Sequence, residues 1–257
     1  MKNNNTIIVK CNDISLSYMK EKNELLHVLD NINFELKENE IIAIVGKSGA
    51  GKSTFLRVMS GLIPATLGSV YYKSDLVQTP LTRMSMVFQN FALLPWLSVL
   101  DNVIFGLEAQ GVKRKESEPK AREIINKIGL HGFENSFISE LSGGMKQRVG
   151  FARALIVEPE VLLMDEPFSS LDITTAKSLR EEIIKLWSTR VINTKSMVIV
   201  THNIEEAALM ADRVIIFSSN PGRIINEFTI NKEHPRDKNN KQMQETIESI
   251  TNELYIQ

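Results

Sequence analysis

"IIAIVGKSGAGKSTFLRVMSG", residues Ile41 to Gly61, decides the fold class. Its first five residues form an unbroken apolar run, the pattern of a strand covered on both faces. Gly46 to Ser53 then fit G-x-x-x-x-G-K-[ST], and a helix from about Lys52 to Ser60 closes at Gly61. Glycines let backbone N–H groups converge on phosphate oxygens without obstruction by side chains. The stretch is therefore a triphosphate cradle made of Gly46, Lys47, Ser48, Gly49, Ala50, Gly51, Lys52, Ser53 and Thr54. Lys52 would reach the terminal phosphates, and the Ser53 hydroxyl would ligate Mg²⁺.

Outward from the cradle, "VLLMDEP" (Val161 to Pro167) delivers two carboxylates at the C-terminal end of an apolar strand. Open α/β sheets bind ligands at such ends. Asp165 would hold Mg²⁺, leaving Glu166 to polarise an attacking water as general base. These two elements alone also suit a kinase, a GTPase or a helicase.

The remaining chain alternates strands with helices. Ile14, Leu16 and Tyr18, then Ile32, Phe34 and Leu36, read as early strands, with "KENE" turning between the second run and the next. "SVYY", "RMSMVF", "SMVIVT" and "RVIIF" read as further strands, and "TTAKSLREEIIKLW" as a helix. From Leu97 to about Leu155 the pattern is helical, opened by Ser98 with Asp101 and broken at Gly111. "KRKESEPKARE" carries mixed charge and reads as a solvated connection into a helix ending at Gly129. Such an order argues for a parallel sheet wrapped by helices, with a helical insertion.

Composition narrows the class. Lys+Arg 30 against Asp+Glu 31 gives a net charge of -1, which speaks against a protein that coats nucleic acid. A single cysteine, Cys11, excludes an intramolecular disulfide and fits a reducing compartment. "MKNNNTIIVK" lacks the apolar core of a secretory signal. No apolar run approaches the roughly 20 residues that span a bilayer. Any membrane location would depend on a partner.

"ELSGGMKQRVGFARAL", Glu140 to Leu155, offers a second anion-sized helix start, with Ser142 as N-cap before Gly143-Gly144. "LSGGMKQR" resembles the signature of the ATP-binding cassette (ABC) family, and the chain carries that family's motifs in its usual order. Tyr18 resembles its adenine-stacking aromatic, Gln89 its Q-loop glutamine, "SSLD" (Ser169 to Asp172) its D-loop, and His202 its switch histidine. The resemblance covers about residues 7 to 230 as one ATPase domain with a helical subdomain at about 90–157. Residues 231–257 read as a polar tail with a short amphipathic helix near Glu245 to Leu254. It implies a P-loop α/β core with a parallel sheet, an N-terminal antiparallel β subdomain and the helical insertion.

The resemblance also implies ATP and Mg²⁺, with Ser53, Gln89 and Asp165 holding the metal and Glu166 and His202 catalytic. Leu141, Ser142, Gly143, Gly144 and Gln147 would contact ATP held by a second copy or a paralogous subunit, across an interface that Asp172 helps align. One cradle and one signature per chain make pairing necessary. "NFALLPWLSVLDNV" after Gln89 places large apolar residues beside a loop, where importer-type cassettes receive a helix of the permease. The alternative is that Leu93, Leu94 and Trp96 fill the core of the insertion. "LLPWLSVLDNVIFGLE", "HNIEEAALMADRVIIFSSNPGRI" and "HPRD" resemble ATPases of nitrate, taurine and aliphatic sulfonate importers. "NPGR", Asn220 to Arg223, reads by composition as a surface turn.

The implied partners are two membrane permease subunits and, indirectly, an extracytoplasmic binding protein, with no nucleic acid, at the cytoplasmic face of the membrane. Competing expectations are an exporter or lipoprotein-extraction ATPase, a soluble cassette ATPase, and a P-loop kinase. Two departures stand out. Asn203 occupies a position where the family usually has Asp, and the tail after Ile230 is too short for an additional C-terminal domain.

Overall fold

The computed structural model describes residues 6–19 and 24–255. In chain order the strands and helices are β1 (Ile7–Met19), β2 (Leu25–Lys37), β3 (Ile41–Gly46), α1 (Lys52–Met59), β4 (Leu67–Tyr72), β5 (Asp75–Leu76), β6 (Met84–Val87), α2 (Val99–Ala109) and α3 (Arg114–Lys127). They continue with α4 (Gly143–Leu155), β7 (Val161–Asp165), α5 (Ile173–Ser188), β8 (Ser196–Val200), α6 (Ile204–Met210), β9 (Arg213–Phe217), β10 (Ile224–Thr229) and α7 (Lys241–Tyr255). Two units form, one from the chain up to Leu81 and from Lys195 onward, the other from Thr82–Thr194.

In the first unit every residue of β3 is buried, as its unbroken apolar run requires. It pairs in parallel with β8 (Ile41↔Met197 to Ile44↔Val200) and with β9 (Ile42↔Arg213 to Gly46↔Phe217). β10 adds an antiparallel edge to β9. A separate antiparallel sheet has the order β2-β1-β4-β5. Phe55 of α1 packs between Phe34 of β2 and Phe217 of β9, with ring centroids 5.5 Å away on each side. Burial of this order makes a Phe→Ala change cost about 3–5 kcal/mol. The helix after the cradle is thus anchored from both sheets.

The tail is more ordered than its polarity implies. α7 begins at Lys241, buries Met243, Ile250 and Leu254, and packs on α6. Arg236, with a side chain 1% exposed, donates to the Ala208 carbonyl at 3.0 Å and also to that of Ala211, which satisfies the C-terminal end of α6. Its other nitrogens reach the Asp212 carboxylate at 3.0 Å and the Lys232 carbonyl at 2.9 Å. Residues after Ile230 therefore belong to the first unit.

In the second unit β6 and β7 pair in parallel, and α2, α3 and α4 pack on one another. Ser98 caps α2, accepting from the Asp101 N–H at 3.0 Å. The expected connection "KRKESEPKARE" is a correction, because most of it lies inside α3. Its mixed charge is spaced for a helix: Arg114 pairs with Glu118, Glu118 with Arg122 and Glu123 with Lys127, each four residues apart. The unit holds β6, β7 and α5 as well as the segment 90–157 expected as a helical insertion.

Candidate active site

The cradle keeps its glycines for conformational reasons. Gly49 and Gly51 sit at φ +80° and +81°, where a side chain is strained. Gly46 abuts β9, so a Cβ there would lie 2.7 Å from the Phe217 carbonyl oxygen. The first turn of α1 carries no side-chain cap, so an anion can take that role. Lys52 is buried and its Nζ donates to the carbonyls of Gly46 at 2.7 Å and Lys47 at 2.9 Å. That position holds the ammonium along the loop it serves. Lys47, Ser48 and Gly49 are exposed, Ser53 and Thr54 are half-buried, and Ala50 is buried.

Two further residues of the first unit were expected at this site. Tyr18 lies next to the end of β1, opposite Leu26, and is 41% exposed, which leaves its ring open for stacking. His202 follows β8 and is exposed. Asn203 beside it caps α6 by accepting from the Glu206 N–H at 3.1 Å, as its amide oxygen can in place of a carboxylate.

The second unit carries the carboxylates. β7 buries Asp165 and turns sharply at Glu166, whose φ of 45° is unusual for a side-chain-bearing residue. The turn is held by Ser169, whose hydroxyl donates to the Glu166 carbonyl at 3.0 Å. Gln89 is exposed beyond β6 and donates its amide nitrogen to the Glu166 carboxylate at 3.2 Å. The two expected functional side chains are therefore in contact. Ser53, Gln89 and Asp165 are all oxygen donors, the chemistry Mg²⁺ selects when phosphates and water complete its shell.

Asp172 caps α5, accepting from the N–H groups of Thr174 at 3.1 Å and Thr175 at 3.0 Å. Hydrogen bonds from the Thr175 hydroxyl, then from these backbone groups, hold its carboxyl below the ordinary value. Ile173, the next residue, is 90% exposed.

At the start of α4 the two glycines do different work. A Cβ on Gly144 would lie 2.6 Å from Thr175 Cγ2, so this glycine lets α4 approach α5. A Cβ on Gly143 would meet nothing within 4 Å. Packing explains one glycine and leaves the other free for an approaching ligand. Ser142 and Gly143 are exposed, and Ser142 accepts from the Met145 N–H at 3.3 Å. Leu141 is buried, and Gln147 is fully buried with neither amide atom hydrogen-bonded. The side chain of Gln147, expected among the ligand contacts, thus lies inside the unit, unlike exposed Ser142 and Gly143.

Sequence reasoning missed Arg153. From α4 its guanidinium donates to the carbonyls of Phe91 and Ala92, both at 2.7 Å, and burial lowers its pKa. Phe91 and Ala92 sit at φ 58° and 48°, two positive-φ residues in succession. Arg153 pins this strained turn, two residues beyond Gln89, to the signature helix. Its place in "GFAR", at the far end of that helix, gave no local signal.

Comparison with known proteins places the whole chain. The family profile described as "ABC transporter" matches residues 29–169, and an uncharacterised ABC transporter ATP-binding protein of Methanocaldococcus jannaschii is 42% identical over 226 residues, 88% of this chain and 84% of that protein. The chain belongs to the ABC transporter ATP-binding family. Among its relatives, the taurine import ATP-binding protein TauB of Rhizobium johnstonii is 38% identical, covering 87% of this cassette and 84% of that protein. TauB of Escherichia coli K12 is 39% identical over 79% and 78% respectively. A solved ATP-binding cassette, a dimer in a post-hydrolysis state bound to ADP and Pi, superposes with a TM-score of 0.77 at 30% identity. It covers 88% of this cassette and 100% of that chain. This cassette is therefore an ATPase with the ABC fold, a parallel sheet accompanied by an antiparallel one.

Proposed function

We propose that this cassette is the ATP-hydrolysing subunit of an importer for a small anionic solute, paired with a second copy or a paralogous subunit. Two membrane permease subunits are its direct partners, an extracytoplasmic binding protein its indirect one, and the cytoplasmic face of the membrane its place. The pairing rests on the open space over Gly143, on a helix start whose N–H groups and dipole favour an anion. Ile173, almost wholly exposed beside Asp172, adds an apolar contact of the kind a partner surface covers.

Each residue then has a task. Tyr18 stacks on adenine, a contact of about 1–3 kcal/mol by analogy with bases on aromatics. The cradle N–H groups and Lys52 neutralise phosphate charge. Ser53, Gln89 and Asp165 would hold Mg²⁺, which would supply further neutralisation when bound. Glu166, steadied by the Gln89 amide, orients water and takes its proton. His202 contacts the γ-phosphate. Ser142, Gly143 and Gly144 contact the nucleotide of the partner.

The importer reading is supported by the similarity to TauB proteins across most of both chains and by Trp96, which is 69% exposed after the Gln89 loop. Leu93 and Leu94 are half-buried. Trp96 does not fill a core; it offers apolar area to a permease helix. Among the described residues no helix is long and apolar enough to cross a membrane. The test is reconstitution with a genomically neighbouring permease and binding protein, followed by ATPase and uptake measurements with taurine, an alkanesulfonate and nitrate. Stimulation and uptake by one of them is expected. Export, or no response to any solute with an active complex, refutes the importer reading.

A further inference from the structure

The turn that connects β9 to β10 is not the free surface turn that "NPGR" implies. Gly222 is buried, and its backbone joins β2 in both directions: its N–H donates to the Val28 carbonyl at 2.9 Å, and the Asp30 N–H donates to its carbonyl at 3.0 Å. Ser218 closes the turn from within, donating its N–H to the Arg223 carbonyl at 2.9 Å and its hydroxyl to the Pro221 carbonyl at 3.2 Å. Outside, Arg223 forms a charge-assisted pair with Asp30 of β2, with Nε 2.8 Å from the carboxylate. Gly222 and Arg223 thus fix the turn to one strand, by an isolated backbone bridge and an ion pair.

What this anchoring holds is the back of the phosphate cradle. A Cβ on Gly222 would overlap the Ala50 carbonyl oxygen, well inside the 3.0 Å that real Cβ atoms keep. It would also lie 3.2 Å from the Val28 carbonyl oxygen and 3.3 Å from Leu29 Cδ2. Gly51 meets the same strand from the cradle side, where a Cβ would lie 2.8 Å from Leu29 Cδ2 and 3.0 Å from the Val28 carbonyl oxygen. Ala50 and Leu29 are each 1% exposed. Gly222, β2 and Ala50-Gly51 therefore form a closely spaced stack with no slack for a methyl group. A loop that binds phosphate through backbone N–H groups depends on where its peptide planes lie, and this stack determines one side of that position.

We propose that the turn from Ser218 to Arg223 is a positioning element for the cradle, with Gly222 setting the seat of Ala50 and the Arg223–Asp30 pair keeping the turn in place. Gly222 touches no nucleotide and acts through Ala50; the inference rests on residues 46–54 being the ATP cradle. It accounts for a buried glycine in a turn whose composition alone demands only solvent exposure.

The test uses the full chain with Gly222→Ala, Arg223→Ala and the reversed pair Asp30→Arg with Arg223→Asp. Steady-state ATPase and MgATP titration are read together with melting in the absence and presence of MgATP. Gly222→Ala is expected to raise KM and the MgATP Kd at least tenfold and to shrink the nucleotide-induced rise in melting temperature. Arg223→Ala is expected to raise KM two- to fivefold, with the reversed pair restoring it. A merely structural role would lower the melting temperature without nucleotide and leave KM unmoved in the folded fraction. Folded Gly222→Ala with KM within twofold of wild type overturns the proposal. Should that variant fail to fold, an unchanged KM in Arg223→Ala overturns it instead. Wild-type protein that fails to bind MgATP would sink the cradle reading; wild type and variants that bind alike would sink only this inference.

Discussion

Replacing Gly143 and Gly144 separately by alanine divides packing from ligand approach within one dipeptide. At Gly144 the new Cβ lies 2.6 Å from Thr175 Cγ2, and overpacking of this kind costs about 1–3 kcal/mol. The clashing atom is one methyl on a half-buried threonine, so the cost belongs near the low end, about 1 kcal/mol. At Gly143 nothing is touched, and exchanging glycine for alanine in a helix gains up to about 1 kcal/mol. The helix gain from alanine applies at both positions, so the two variants should differ by the clash alone, about 1 kcal/mol, or roughly 2–4 °C in melting temperature for a chain of this size. Thr175→Ser removes Cγ2 and should rescue Gly144→Ala in a double-mutant cycle. ATPase activity should run the other way, with Gly143→Ala at least as stable as wild type yet slower by tenfold or more. Thermal melting with turnover on the same samples checks both. Wild-type turnover in Gly143→Ala, or greater stability in Gly144→Ala than in Gly143→Ala, refutes the division.

Glu166→Gln should keep MgATP binding, lose turnover by about 10²–10⁴-fold and accumulate a dimer seen by size exclusion with ATP; wild-type turnover removes Glu166 from the role. Arg153→Ala removes the charged donor of the half-buried Phe91 carbonyl, while exposed Ala92 can turn to water, and should destabilise the chain by about 1.5–3 kcal/mol in denaturant titration, the scale of a hydrogen bond from a charged group. Glu227 titrates below its ordinary value of 4.5 because Arg213 hydrogen-bonds it, so its contribution is fully present above that value and is lost as pH falls through the lower folded value. Acid melting curves of Arg213→Met should be flatter in that window. Cys11 is buried and its thiol pKa is raised by desolvation, so maleimide should label it only after unfolding.

How far the sequence could be read follows from where each constraint is written. β3, α1 and β7 were legible because burial on both faces demands an apolar run and phosphate binding demands glycines in order; both demands are local. α3 was misread because opposite charges look like solvent exposure until their spacing of four is counted. β10 went unseen because its residues alternate only between half-buried and exposed, as an edge strand may. Its existence depends on pairing with β9, which no local pattern states.

The site shows the same boundary more sharply. Residue types fitted to a ligand are recognisable from their order, and Gly143 and Gly144 are identical in that respect. Only the neighbour across the helix interface separates them, because Thr175 is 31 positions away by sequence number and touches one glycine alone. Gln147 shares a motif with Ser142 but lies four residues past the first residue of α4, where helical periodicity carries its side chain from the exposed end into the interior. A motif thus names a segment, while the helix geometry decides which of its members a ligand can reach. Gly222 is the converse case: composition marks a turn, and only the neighbours behind it, the Ala50 carbonyl nearest of all, explain why position 222 cannot carry a side chain.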